Sequence, residues 1–121
     1  VIFLGDLNSE RVAGERAGDI EQLLGDPSQP QLLDLLEELP DPKAPTHLVL
    51  EKQFDRILAS RSLMENEDGL DWVFETIEVL DEAVVRGNKD GPEHWDERLT
   101  MKLAELDISD HYPVVATFRL K

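Results

Sequence analysis

The chain contains no cysteine. Disulfides, thiol nucleophiles and cysteine–zinc sites are thereby excluded, while the redox compartment stays open. Basic residues are scarce: 12 Lys and Arg stand against 27 Asp and Glu, a formal net charge of −15. Nucleic-acid-binding surfaces show clustered Lys and Arg, and here the balance is reversed. Duplex nucleic acid is therefore a disfavoured partner, not a forbidden one. Long apolar runs are also missing. The longest is Val1–Leu4, against the roughly 20 apolar residues a membrane helix needs. No charged segment leads into an apolar one, so no secretory signal is read and the compartment stays open, the cytoplasm being mildly favoured. An initiator Met is lacking too, and the sequence opens inside a strand-like run, so it reads as a fragment or a processed product. No internal repeat or low-complexity tract is present.

What is present suits one domain over residues 1–121. The chain is 40% hydrophobic, enough for a buried core. Val1–Leu4, β-branched and aromatic and stopped by Gly5, reads as a buried strand. Polar residues with Gly14 and Gly18 make the stretch from Asp6 to Gly18 a loop. Asp19 caps a short helix to Leu24, with Gly25 beyond it. Ser28 and Pro30 then suggest an N-terminus for a second helix over 30–39, its leucines forming one stripe until Pro40. Pro40, Pro42 and Pro45 stiffen the loop that follows.

Gln53 to Ser60 reads as a strand with Asp55, Ile57 and Ala59 on one face and Phe54, Arg56 and Leu58 on the other. Residues 70–84 fit either a helical stripe or, by propensity, a strand. Asn88 to Pro92 is a turn, Glu93 to Leu103 one polar helix, and Pro113 to Leu120 the last strand. Two windows, Ala17–Pro42 and Ser62–Val85, hold seven and eight acids with no Lys or Arg. They read as solvated acidic faces that repel polyanions.

Three segments set acids, an amide or a histidine beside apolar strands. In Gly5-Asp6-Leu7-Asn8, residues two apart point the same way in extended chain. Asp6 and Asn8 then offer a carboxylate to take a proton and an amide to hold water or a phosphoryl oxygen. The same residues also suit an Asx turn. Asp55 lies mid-strand, where Asp is disfavoured, and if buried it needs a partner. Arg56 faces the other way, so a histidine elsewhere is the natural choice; an edge-strand acid facing water is the alternative. In Ser109-Asp110-His111-Tyr112-Pro113, His111 is the general acid/base or phosphate-contact candidate and Asp110 a ligand for a hard cation. A plain turn is again the alternative.

Together and in this order, the three segments resemble the C-terminal half of the endonuclease/exonuclease/phosphatase superfamily, the metal-dependent phosphoesterases of deoxyribonuclease-I-like fold. Gly5-Asp6-Leu7-Asn8 is similar to its Gly-Asp-Phe-Asn motif and Phe54-Asp55-Arg56-Ile57 to its Asp-bearing strand. Ser109-Asp110-His111-Tyr112-Pro113-Val114 is similar to its Ser-Asp-His-x-Pro-Val motif. The resemblance implies an α/β (α+β) fold: half of a four-layer α/β sandwich, with one mostly antiparallel sheet and helices packed on one face. It implies hydrolysis of a phosphodiester or phosphomonoester by metal-assisted water attack, with Mg²⁺ or Mn²⁺ as cofactor. In that scheme Asp6 orients or deprotonates the water and Asn8 contacts the phosphate. Asp55 holds His111, His111 stabilises the phosphate, and Asp110 with Asp6 binds metal. Arg56 and His47 are expected as further phosphate contacts, while His94 is expected to be structural or exposed. The family's N-terminal half supplies a metal-binding Glu with no counterpart here. The chain alone is thus expected to be inactive, its sheet completed by that half or by a second copy. The competing possibility is a non-catalytic binding or scaffolding module that keeps the fold.

Overall fold

The computed structural model describes residues 1–9, 19–26, 28–64, 72–86, 95 and 97–120. Among the described residues the strands are β1 (Ile2–Asp6), β2 (Leu32–Asp34), β3 (Asp55–Ser60), β4 (Trp72–Val79) and β5 (Val114–Leu120), with a short helix, α1 (Asp19–Leu24). They form a small mixed fold, mostly antiparallel sheet with few helices. The strands divide into two sheets rather than the single sheet expected. One has the order β1-β3-β2 and the other pairs β4 with β5; both are antiparallel. No clear half of a four-layer sandwich is seen, and no described helix is long and apolar enough to cross a membrane.

The expected helix over 30–39 is instead β2 followed by a 3₁₀ turn, Leu35–Glu38. The reason lies in Asp34. On a helix it would sit opposite the leucine stripe, in water. As the last residue of β2 it pairs in register with Leu58, is buried, and meets the buried Arg56. Its Oδ1 also accepts a hydrogen bond from Leu36 N, capping the 3₁₀ turn. Leu35, Leu36 and Leu39 still reach the core, with Ile57, Ala59 and Ile77.

The ambiguity over 70–84 resolves to strand within the described part, and the helix-like spacing has a cause. A bulge between Phe74 and Thr76 leaves Glu75 unpaired in the register, which inverts the side-chain alternation of the strand. Phe74 before it and Ile77 and Val79 after it therefore all join one core cluster. Val114, Ala116 and Phe118 of β5 meet them there, Phe74 and Phe118 edge to face at 5.8 Å. Of the polar helix expected over 93–103, Trp95 is helical, but the described residues from 97 on are not. Residues 97–100 and 103–105 make turns, closed by bonds such as Thr100 N to Glu97 O. The expected loop at 10–18, the turn at 88–92 and His94 lie outside the described residues.

β3 is the centre of its sheet, and Arg56, Ile57, Leu58 and Ala59 are all buried. β1 is an edge strand, and the apolar side chains of Val1–Leu4 are exposed, not buried as the sequence suggested. Strand order thus places Asp6 at the end of β1 directly opposite Asp55 at the start of β3.

Candidate active site

Backbone hydrogen bonds bring three distant segments together. Leu7 N donates to Phe54 O, tying the end of β1 to the start of β3. The hydroxyl of the fully buried Thr46 accepts from both Phe54 N (3.0 Å) and Asp55 N (2.9 Å). Tyr112 N donates to Thr46 O and Leu48 N to Asp110 O, so His47 and His111 form an antiparallel bridge. The 46–48 segment thus acts as a splint. Its side chain fixes the strand that carries Asp55, and its backbone fixes the segment that carries His111.

Held this way, His111 Nδ1 lies 2.7 Å from Asp55 Oδ2, across 56 positions of sequence. A carboxylate accepts, so Nδ1 carries the hydrogen and Nε2 faces outward. Asp6 Oδ2 lies 4.0 Å from that Nε2. Asn8 donates its backbone N–H to Asp6 Oδ1 and its amide Nδ2 to Asp6 Oδ2, in an Asx turn where Asn8 adopts a left-handed conformation (φ 49°), which Asn tolerates better than most residues. Gly5 has φ 151°, a conformation side chains rarely adopt. Turn and catalytic readings of Asp6-Leu7-Asn8 are therefore compatible, since the turn aims the carboxylate.

Electrostatics favour a charged imidazole here. Burial pulls the His111 pKa down, but the Asp55 hydrogen bond and the charges of Asp55, Asp6 and Asp110 together outweigh it, and the pKa lies above its usual 6.5. Two acids in register on adjacent strands repel; His111, in contact with both, offsets that repulsion.

Among the described residues, two groups have the chemistry and spacing to hold a cation: Asp6, Asp55 and His111, and His47, Asp110 and His111. They meet at His111, and neither contains both Asp6 and Asp110. Carboxylate oxygens suit Mg²⁺ or Mn²⁺. Beside the Asp55–His111 pair opens a cleft of about 330 Å³, with Leu4, Ile57, Ser109, Tyr112 and Val114 in its wall.

Comparison with family models, curated proteins and solved structures returns no match.

Two expected phosphate contacts sit differently from expectation. Arg56 is buried, and its guanidinium is paired with Asp34 Oδ2, on the face of β3 away from Asp55. That cation is not available to a phosphate. His47 is buried as well, and its Nδ1 accepts from Val49 N (3.2 Å) and Leu50 N (3.1 Å). Sequence reasoning missed Asp34. Its signal was an acid inside a leucine run, with an arginine inside a later strand to match it. The part played by Thr46 had a fainter signal, a lone threonine among prolines.

Proposed function

We propose that this chain carries the histidine–carboxylate part of a divalent-metal-dependent phosphoesterase site. One observation carries the proposal: the 2.7 Å Asp55–His111 pair, with Asp6 4.0 Å from the outer nitrogen of the same ring. A carboxylate behind an imidazole fixes its tautomer and stabilises its cation. The outer Nε2–H of that cation donates to a phosphate oxygen and stabilises charge that develops there. Asp6 accepts a proton from the attacking water, and Asn8 holds the adjoining phosphoryl oxygen. Asp110 and Asp6 are the hard ligands for Mg²⁺ or Mn²⁺, which when bound supplies Lewis-acid stabilisation of the phosphate. Since neither cation-holding group unites Asp6 with Asp110, we take the metal set as completed by a further acid, from the N-terminal half that the resemblance implies or from a second copy.

The test is hydrolysis of bis(p-nitrophenyl) phosphate and p-nitrophenyl phosphate, with Mg²⁺ or Mn²⁺, by the protein that carries this chain. His111→Ala and Asp55→Asn should each lose about 10²–10⁴-fold in turnover, the usual contribution of a positioned acid or base. Equal turnover by His111→Ala removes the imidazole from the mechanism. Metal binding without hydrolysis of either ester favours the binding-module alternative.

A further inference from the structure

We infer that His47 is a positioning residue that aims Asp110 and braces His111, and not a phosphate contact or a metal ligand. The inference rests on the phosphoesterase reading for its purpose, but its geometry stands apart from it. Nδ1 of His47 accepts two backbone N–H groups, from Val49 and Leu50. An imidazole nitrogen that accepts carries no proton, so the ring's hydrogen sits on Nε2. That Nε2 lies 3.8 Å from Asp110 Oδ2. The Nε2–H thus lies within ion-pair range of the carboxylate, though beyond the length of a hydrogen bond.

The same tautomer rules against metal ligation. Nε2 could bind a cation only by giving up its hydrogen, and Nδ1 could hold a proton only by expelling both backbone donors. The apparent cation-holding group of His47, Asp110 and His111 thereby loses His47 as a ligand, and Asp110 is left as its oxygen donor. Packing fixes the ring in place. Phe54 meets it edge-on at 5.4 Å and the His111 ring at 4.7 Å. Its backbone is paired with that of His111. An outer-shell donor that orients a ligating carboxylate typically carries 10–100-fold in metal affinity.

Two variants separate aiming from turn capping. His47→Asn keeps an acceptor near Nδ1, and with it the 47–50 turn, but cannot reach Asp110. His47→Gln places an amide N–H near the position of Nε2 but gives up the acceptor. Ring ¹⁵N shifts of the wild-type protein should show His47 protonated on Nε2 alone. Mn²⁺ titration should show affinity within about threefold of wild type for His47→Gln and about tenfold weaker for His47→Asn. A proton on Nδ1 of His47, wild-type affinity in His47→Asn, or equal loss in both variants overturns the inference. If the wild-type protein that carries this chain, with the half that completes the metal set, binds no Mn²⁺, the phosphoesterase reading fails. His47 is then judged by the Asp110 ¹³Cγ and His111 ring shifts alone: moved in His47→Asn and kept in His47→Gln supports it, unmoved in both overturns it.

Discussion

Removing the Arg56 guanidinium tests the fold and the site assignment in one experiment. The side chains of Arg56 and Asp34 are 2% and 1% exposed, so neither charge has water to fall back on. In Arg56→Met the Asp34 carboxylate keeps one bond, from Leu36 N at 3.1 Å, and loses its counter-charge. Breaking one side of such a pair costs about 3–5 kcal/mol, a large share of the 5–15 kcal/mol that usually holds a domain together. Adding Asp34→Asn should recover most of that loss. The charge is gone, and the Asn oxygen still accepts from Leu36 N. Urea unfolding followed by tryptophan fluorescence and far-ultraviolet circular dichroism reads both steps, with an unchanged denaturant slope as the check that the unfolded state is comparable. The double variant should bind Mn²⁺ as wild type does, because Arg56 takes no part in the site. Arg56→Met within 1 kcal/mol of wild type, or a double variant no more stable than the single, would refute the buried pair. Loss of Mn²⁺ binding in a folded double variant would return Arg56 to the site.

Three further outcomes are expected. Thr46→Val leaves the Phe54 and Asp55 N–H groups without their acceptor; at about 1–3 kcal/mol for each fully buried group, discounted because both residues are half-buried, about 2 kcal/mol should be lost in urea unfolding, whereas Thr46→Ser keeps the hydroxyl and loses less. The raised His111 pKa means the folded state binds that proton more tightly than the unfolded chain. In metal-free protein the resulting stability is fully present below pH 6.5 and disappears as pH rises through the folded value. His111→Gln should flatten that step, and a His111 Hε1 titration midpoint at or below 6.5 contradicts it. The edge strand β1, with Leu4 67% exposed, should drive concentration-dependent association in sedimentation velocity. Leu4→Lys should suppress it, and unchanged sedimentation would clear β1 of that role.

Much of the strand pattern could be read from local signals. Val1–Leu4, the run from Asp55 and the run after Pro113 are short stretches rich in apolar residues, and each forms a strand. The reading failed where an element depends on a partner far away. Leucines at 32, 33, 35, 36 and 39 satisfy a helical stripe equally well; only the buried Arg56 across the sheet makes a strand the better home for Asp34. At Phe74 and Ile77 a bulge imitates the helical period, and no single-strand pattern reveals a bulge. For the site, residue types and order were enough to nominate Asp6, Asn8, Asp55, Asp110 and His111. Which of them touch could not be read from spacing, since it depends on a splint at Thr46–Leu48 whose bonds are largely backbone. The state of His47 was similarly hidden, because the tautomer is set by two N–H groups that every sequence supplies.

The register of Asp6 against Asp55 bears most directly on why these residues are here. Like charges directly opposite on neighbouring strands cost stability, and both positions could hold an amide without disturbing the ladder. Two features surround this pair. One is the imidazole set 2.7 Å from one acid and 4.0 Å from the other. The second is the Asn8 amide, one hydrogen of which is given to Asp6. Opposed acids whose repulsion is offset by a histidine held in place from three sides are the kind of arrangement that functional sites use. Under the proposed function, this carboxylate beside an imidazolium would supply a proton acceptor and a hydrogen-bond donor for attack on a phosphoryl group.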